Sequence, residues 1–330
     1  MISMKKFIMF LIEKRILSFK LISSLRYALK FKKWPDFNSP RDLNEKVMWL
    51  SFYSDTSLWS KLADKIEVRN YVESKGLKEL LPRLLGAWDH ANEIDFDKLP
   101  NSFVLKTNHG CGEVLVIKDK RKEDLTAVKN KMNGFLQSPF GILTGEPHYL
   151  EIKPRVFAEE MLPNDSKFST SLVDYKFYCF YGKPECVLVC YDRKGLNAQK
   201  VIYDMAWQKR EDYTHAHNQT SPEIPKPDNW DKMLKACSIL GLSFPFVRID
   251  FYETQKRCYF GEMTFTPASG RSTAESKDYL KYLGSKININ QIKEQTNRQH
   301  HDSKENPCRR LHRRPLGTTP PYHPPFRRTL

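Results

Sequence analysis

Late in the chain two stretches, Val247 to Tyr252 and Cys258 to Phe265, alternate at a period of two and are separated only by Glu253 to Arg257. That period belongs to a pleated strand, whose successive side chains point to opposite faces, and so short a connection leaves the two strands adjacent as a hairpin-like pair. The first is apolar and aromatic apart from Arg248 and Asp250, which fall together on one face. In the second, Tyr259, Gly261, Met263 and Phe265 alternate against Phe260, Glu262 and Thr264. The pairing predicts Asp250 and Glu262 projecting from one face of one sheet. Two acids in strands are, taken alone, also what an ordinary half-solvated sheet face carries.

A second pattern stands far upstream. Ser102 to Lys106 reads as a short strand with a charged end, Asn108, Gly110 and Gly112 let the backbone bend tightly, and Glu113 to Lys118 resumes a strand. Such a glycine-rich turn can lay backbone amides over phosphates while Lys106 approaches from the strand. It has neither the G-x-x-x-x-G-K-[ST] spacing nor G-x-G-x-x-G, so the common phosphate loop and a dinucleotide fingerprint are both excluded. Alone, His109-Gly-Cys-Gly112 is a plain hairpin turn. Together with the acid pair it suits a hard dication carrying a polyphosphate, with carboxylate oxygens on the metal and lysine on the phosphate charge.

The ordered set D-K65-I-E-V-R69, F-V-L-K106-T-N-H-G-C-G, R155-V-F-A-E159-E160-M-L, D-Y-K176-F-Y-C-F-Y-G-K-P, R248-I-D250-F-Y and G-E262-M-T-F-T-P-A-S-G resembles the TupA-like group of ATP-grasp proteins. The resemblance runs from about Pro35 to about Leu283. The group is named for a teichuronopeptide biosynthesis protein and is common among genes for bacterial surface polysaccharides. The resemblance implies an α+β ATP-grasp fold, two α+β subdomains clamping ATP, with magnesium as the metal and a carboxylate activated as an acyl phosphate. On it, Lys65 and Lys106 look like the two phosphate-contacting lysines, and Gly110 with Gly112 like the loop over the phosphates. Glu159, Glu160 and Met161 look like the linker beside the adenine, where backbone groups of Glu160 to Leu162 read the base edge and a carboxylate receives the ribose hydroxyls. Lys176 falls near the phosphates, and Asp250 and Glu262 look like the magnesium carboxylates. The departure is Thr264, where many ATP-grasp enzymes carry asparagine as a further metal ligand; a threonine hydroxyl is a shorter and weaker one.

The chemistry also follows from the residues. A carboxylate oxygen attacks the terminal phosphoryl group, cations neutralise its equatorial oxygens, and an amine then displaces phosphate, with no side-chain nucleophile required. Arg248 shares a strand face with Asp250 and is a candidate for holding the acyl phosphate or the tetrahedral oxyanion, or else it forms a salt bridge to Glu262 that orders the acid. The catalytic candidates are thus Arg248, Lys106 and Glu262, with Asp250, Glu262 and Thr264 at the metal. His109 reads as an incidental polar residue of the turn. Thr266, Ser269 and Gly270 surround Pro267 in a turn that starts a helix, at an anion-binding end or as an ordinary cap. Arg155 faces either the nucleotide or a solvent ion pair.

Composition narrows the class. The chain has 330 residues, enough for a two-lobed enzyme, and seven cysteines without a C-x-x-C, which excludes a structural zinc or a disulfide framework. Of the net charge of +15, residues 1–33 supply +8 and residues 295–330 supply +6, so the body between is close to neutral. A nucleic-acid enzyme needs its basic footprint on that body, so no nucleic-acid partner is expected.

Four segments are expected: a basic amphipathic helix in 1–34, an N-terminal and glycine-loop subdomain in 35–152, a subdomain with the metal site in 153–290, and a Pro/Arg/His-rich tail in 291–330, read as disordered or as a shifted frame. Residues 2–31 form a helix with no apolar run long enough to span a bilayer and no small-residue cleavage site. It either docks on its own body or lies on anionic lipid at the inner face of the membrane of a cytoplasmic enzyme. Asp42 caps a helix from Leu43 to Phe52, Leu58 to Lys75 is a second helical stretch carrying Lys65, and Leu84 to Trp88 is a strand. Leu125 to Phe135 and Trp230 to Leu240 are helices, Pro139 to Tyr149 is loop, and Gln208 to Asn229 is a polar connection suited to covering an acceptor. Three functions remain: an ATP- and magnesium-dependent carboxylate–amine ligase of surface polysaccharide synthesis, a glycosyltransferase of that pathway, or a non-catalytic binding protein. The ligase is favoured, because a glycosyltransferase has no need of two separated lysines at the nucleotide phosphates. A homodimer is the default assembly.

Overall fold

The computed structural model describes residues 18–195, 197–214 and 223–294. The first helix there, α1 (Phe19–Phe31), is capped by Ser18, whose hydroxyl accepts from the Leu21 amide, and stopped by Lys32 in a left-handed conformation. The earlier part of the helix expected over 2–31, and the expected tail from 295 onward, lie outside the described residues. α2 (Leu43–Tyr53) starts at the Asp42 cap, whose carboxylate accepts from the Glu45 amide, and buries Val47, Met48, Trp49 and Leu50.

The stretch expected as one helix from Leu58 to Lys75 is broken into α3 (Trp59–Ala63) and α4 (Glu67–Ser74). Asp64 makes the break: its Oδ1 accepts from the amides of Ile66 and Glu67, a local alternative to helical bonding. Lys65 therefore sits between helices, and its amide donates to the Asn108 carbonyl.

Four strands, β1 (Leu84–Trp88), β2 (Phe103–Thr107), β3 (Val114–Ile117) and β4 (Val156–Glu160), form an antiparallel sheet in the order β1-β4-β2-β3. Helix α5 (Leu125–Leu136) packs Val128 and Met132 with Phe103, Leu105, Val156 and Ala158 over one face. Alternation puts Val104, Lys106, Val114, Val116 and Glu159 on the other, where Val114 and Val116 are exposed. Because β4 belongs to this sheet, the chain leaves it after Glu160. The boundary expected between residues 152 and 153 ignores that non-local pairing.

Five further strands, β5 (Asp174–Phe180), β6 (Lys183–Lys194), β7 (Asn197–Tyr203), β8 (Val247–Thr254) and β9 (Arg257–Thr264), make a second antiparallel sheet ordered β7-β6-β5-β8-β9. Helix α6 (Trp230–Leu240) buries Trp230, Met233, Ala236, Cys237 and Leu240 with Phe177, Ile249 and Phe251. The polar face opposite carries Asp174, Lys176, Arg248, Asp250 and Glu262 in register. β8 and β9 join through Gln255 and Lys256, both left-handed, a two-residue loop tighter than the expected Glu253 to Arg257 connection. Helix α7 (Lys277–Ser285) follows and packs on α2. Cys179, Cys186, Cys190, Cys237 and Cys258 are buried free thiols and Cys111 is exposed.

Candidate active site

Asp250 and Glu262 are direct partners across β8 and β9. A β-bulge lies beside them: Asp250 pairs with Glu262 but Phe251 pairs with Phe260, leaving Gly261 as the extra residue. Glycine is needed there, since a Cβ would come within 3.1 Å of the Asp250 carbonyl oxygen and of the Tyr252 ring. The bulge also corrects the strict alternation expected for β9. Phe260 joins the buried core with Phe251 and Met263, and only Glu262 and Thr264 stay on the face of Asp250.

One guanidinium ties this face together. Arg248 donates through Nε to Asp250 Oδ1 at 2.7 Å, and through Nη2 to Asp250 Oδ2 at 2.7 Å, Glu262 Oε1 at 2.8 Å and Thr264 Oγ1 at 3.0 Å. Lys176, opposite Asp250 on β5, donates to Asp250 Oδ2 and lies 3.4 Å from Asp174. Asp250 is 1% exposed, whereas a third of the Glu262 side chain is accessible. Burial alone pushes the Glu262 carboxyl up, but Arg248, Lys65 and Lys176 outweigh it and hold it down at about 2. Burial likewise pulls Lys176 down, and Asp174 with Asp250 overcomes it, keeping the ammonium charged.

The glycine turn of the first sheet meets these acids of the second. Lys65 donates its ammonium to the Gly110 carbonyl at 2.5 Å and is one of the cations acting on Glu262. Although Cys111 is exposed, the protein crowded around its thiol, and Glu262 after it, push the thiol up against the pull of Lys65, Arg248 and Lys176. Gly112 is left-handed at φ 79°, and Glu113 folds back to accept from the Thr107 hydroxyl. Asn108 braces the turn from behind, donating to Asp64 at 2.8 Å and to the Lys153 carbonyl at 3.0 Å.

Lys106 stands apart from that cluster. It donates to Glu159 Oε2 at 2.7 Å, and Arg69 donates to Glu159 Oε1 at 2.9 Å, so both Glu159 oxygens are engaged within the first sheet. Glu160 is engaged too, its carboxylate accepting from the Arg83 amide at 2.8 Å. In this conformation Glu159 has no free oxygen for ribose hydroxyls, because Lys106 and Arg69 take both, whereas the amide of Arg83 reaches Oε1 of Glu160. Met161 and Leu162 follow, half-buried, and the segment is pinned to the second sheet where Thr254 donates to the Pro163 carbonyl and Asp165 accepts from the Gln255 amide.

Other expectations resolve as follows. His109 is 3% exposed with both ring nitrogens unpartnered, a buried side chain and not a polar turn residue. Pro267 to Gly270 is a 3-10 turn kinked by left-handed Ala268 and Ser269 and not the start of a regular helix, and the Thr266 and Ser269 hydroxyls donate to Glu146. Arg155 pairs with Asp89 at 3.3 Å. Three contributors had escaped the sequence. Glu146 and Tyr149 lie before and within a short 3-10 turn, Pro147–Glu151, that carries no periodicity, yet the Thr266 hydroxyl, two residues past Thr264, donates to Glu146, and Tyr149 is pushed up by burial, by Glu146 and by Glu262. Asp174 had a usable signal, two positions before Lys176 on one strand face.

Asp250, Glu262 and Thr264 offer only oxygen donors, the set a hard dication prefers, so they fit magnesium in kind. Arg248 is bonded to all three, so metal entry requires that guanidinium to yield. Among the described residues no three His, Cys, Asp or Glu gather to cage a metal, so further ligand oxygens would come from the nucleotide or water.

Solved structures with similar folds include D-alanine–D-alanine ligase from Bacillus anthracis complexed with ATP, at 13% identity, covering 74% of this chain and 69% of that one with a TM-score of 0.45. D-Alanine–D-alanine ligase from Helicobacter pylori matches at 15% identity, 75% and 70% coverage and a TM-score of 0.41. The ATP-grasp ligase PsnB with its minimal precursor matches at 13% identity, 71% and 63% coverage and a TM-score of 0.39. No curated protein matches the chain. The family model described as TupA-like ATPgrasp matches residues 45–288, and the chain belongs to that family. It is therefore an ATP-grasp protein.

Proposed function

We propose that this TupA-like ATP-grasp enzyme joins a carboxylate to an amine through an acyl phosphate during assembly of a bacterial surface polysaccharide or peptide–polysaccharide. The observation that carries the reading is one charged point shared by separate parts of the chain: Lys65, between α3 and α4, donates to the Gly110 carbonyl of the glycine turn and also acts on the Glu262 that Arg248 links to Asp250. A phosphoryl group entering there meets the glycine turn on one side and cations on the other once Arg248 and Lys106 exchange their carboxylate partners for phosphate oxygens.

Each residue has a defined task. Lys65 and Lys106 neutralise nucleotide phosphate oxygens, Lys106 by exchanging Glu159 for phosphate. Burial pushes the Asp250 carboxyl up, and Arg248 with Lys176 opposes that rise and favours the carboxylate. Arg248 presents its fork to the oxygens of the transferring group once it gives up Glu262. Magnesium, held by Asp250 and Glu262 with Thr264 beside them, would supply neutralisation of the phosphate oxygens. In the overall exchange a carboxylate oxygen takes the terminal phosphoryl group from ATP, ADP leaves, and the amine nitrogen then takes the acyl carbon as phosphate leaves.

The test is phosphate release from ATP and magnesium against pooled uronic acids and amino acids. Release that needs both a carboxylate and an amine is expected. Binding of a sugar nucleotide with no binding of ATP would overturn the reading in favour of a glycosyltransferase.

A further inference from the structure

Helix α1 has two apolar faces, and the fold uses one. On the inner side Ser23, Ser24 and Tyr27 are buried, Tyr27 donates to Glu45 at 3.4 Å, and the loop at Gly145 approaches so closely that a Cβ there would come within 2.8 Å of the Ser23 Cβ. Arg271, 6% exposed, reaches Ser23 from below at 3.4 Å. The helix is thus firmly seated on its own body. On the outer side Leu21, Leu25 and Leu29 recur at every fourth residue, a single stripe along an α-helix, and they remain 38%, 41% and 72% exposed. Trp34, just past the end of the helix, is 59% exposed.

Charge identifies what this stripe faces. Residues 1–33 hold nine Lys or Arg against Glu13 alone, whereas residues 34–294 are close to neutral, and five of the nine, Lys20, Arg26, Lys30, Lys32 and Lys33, lie in α1 or just after it. Arg26 and Lys32 are exposed on the helix and at its end, whereas Lys33 turns to Glu45 and the Tyr27 ring on the docked side, and a tryptophan stands past the end of the stripe. Leucines on one side, basic side chains along the margins and a tryptophan at the boundary match a bilayer interface with anionic headgroups, where apolar burial and attraction of basic residues act together. A protein partner of ordinary acidity would satisfy the charge but not call for a continuous outward leucine stripe on a helix already docked. No helix of the described residues is long and apolar enough to cross a membrane, so the contact is one of lying on the surface.

We propose that the Leu21–Leu25–Leu29 face of α1, with Trp34 and the exposed Arg26 and Lys32, rests in the plane of an anionic lipid surface while the Tyr27 face stays docked on the enzyme. This contact is independent of the reaction catalysed.

The test is co-sedimentation of the full chain with vesicles of phosphatidylcholine alone or mixed with phosphatidylglycerol. Binding to the mixed vesicles only, weakened by added salt, is expected. Leu25→Glu combined with Leu29→Glu should cut the bound fraction about tenfold or more, because two charges enter the apolar side. Arg26→Gln with Lys32→Gln should weaken binding and flatten its salt dependence. As a readout that leaves the helix surface otherwise intact, the fluorescence of the wild type should shift to the blue on mixed vesicles, and Trp34→Phe should remove most of that shift. Equal binding to both vesicle types, unaltered binding of the double glutamate variant, or a wild-type dimer that this variant dissolves would overturn the proposal; the last would assign the face to a second copy of the chain.

Discussion

Nη2 of Arg248 stands 2.8 Å from the Glu262 carboxylate while the same guanidinium grips Asp250, so one cation occupies the ground between the two acids that the reaction needs. Residues that share one interaction are here unequally buried, and that inequality separates their roles.

Glu262→Gln keeps the shape and removes a charge from a partly exposed carboxylate. Its unfolding midpoint at neutral pH should fall modestly, because the ionised carboxylate's pairing with Arg248 is lost, while the protein still folds. Phosphate release from ATP should slow by about 100-fold, on the order of 3 kcal/mol of transition-state stabilisation. Undiminished turnover would remove Glu262 from the site.

Arg248→Met should instead damage the fold. Asp250 is 1% exposed, and losing one partner of a buried ion pair costs about 3–5 kcal/mol. Urea denaturation is the check, and a variant as stable as the wild type would mean that Lys176 alone suffices for Asp250.

Lys106→Met removes the partner of Glu159 and, with it, the phosphate contact proposed for this lysine. ATP affinity and turnover should fall together, since the lysine faces phosphate before and during reaction. Calorimetric titration with a non-hydrolysable ATP analogue separates this outcome from a change in the chemical step alone.

The depressed Glu262 carboxyl makes stability depend on acid. Its ordinary value is 4.5 and its folded value about 2. Between those values the unfolded chain binds the proton and the folded chain does not, so this contribution is present above pH 4.5 and is lost as pH falls toward 2. Urea midpoints measured from pH 6 down to 3 should decline less steeply for Glu262→Gln than for the wild type.

Gly261→Ala introduces a methyl group within 3.1 Å of a carbonyl oxygen and a tyrosine ring. The bulge must open by a few tenths of an ångström, costing about 1 kcal/mol or more and turning Glu262 away from Asp250. Activity should fall further than stability; equal losses would mean that the bulge serves only packing.

What local sequence determines here is whatever depends on neighbours along the chain. The period of two in Val247 to Tyr252, the Asp42 cap, the glycines of the 109–112 turn and the helix over Trp230 to Leu240 are properties of short windows, and they were legible together with the ordered motifs of the family. Tertiary structure decided matters that depend on residues distant in sequence. Strand order put β4 into the first sheet, because its partners β1 and β2 lie far upstream. The extra residue at Gly261 moved Phe260 into the core, since a bulge is defined by the facing strand. Which cation each acid takes was also settled in three dimensions: Glu159 went to Lys106 and Arg69. A charged side chain has no periodicity to announce its partner, and burial makes whichever partner lies within reach obligatory.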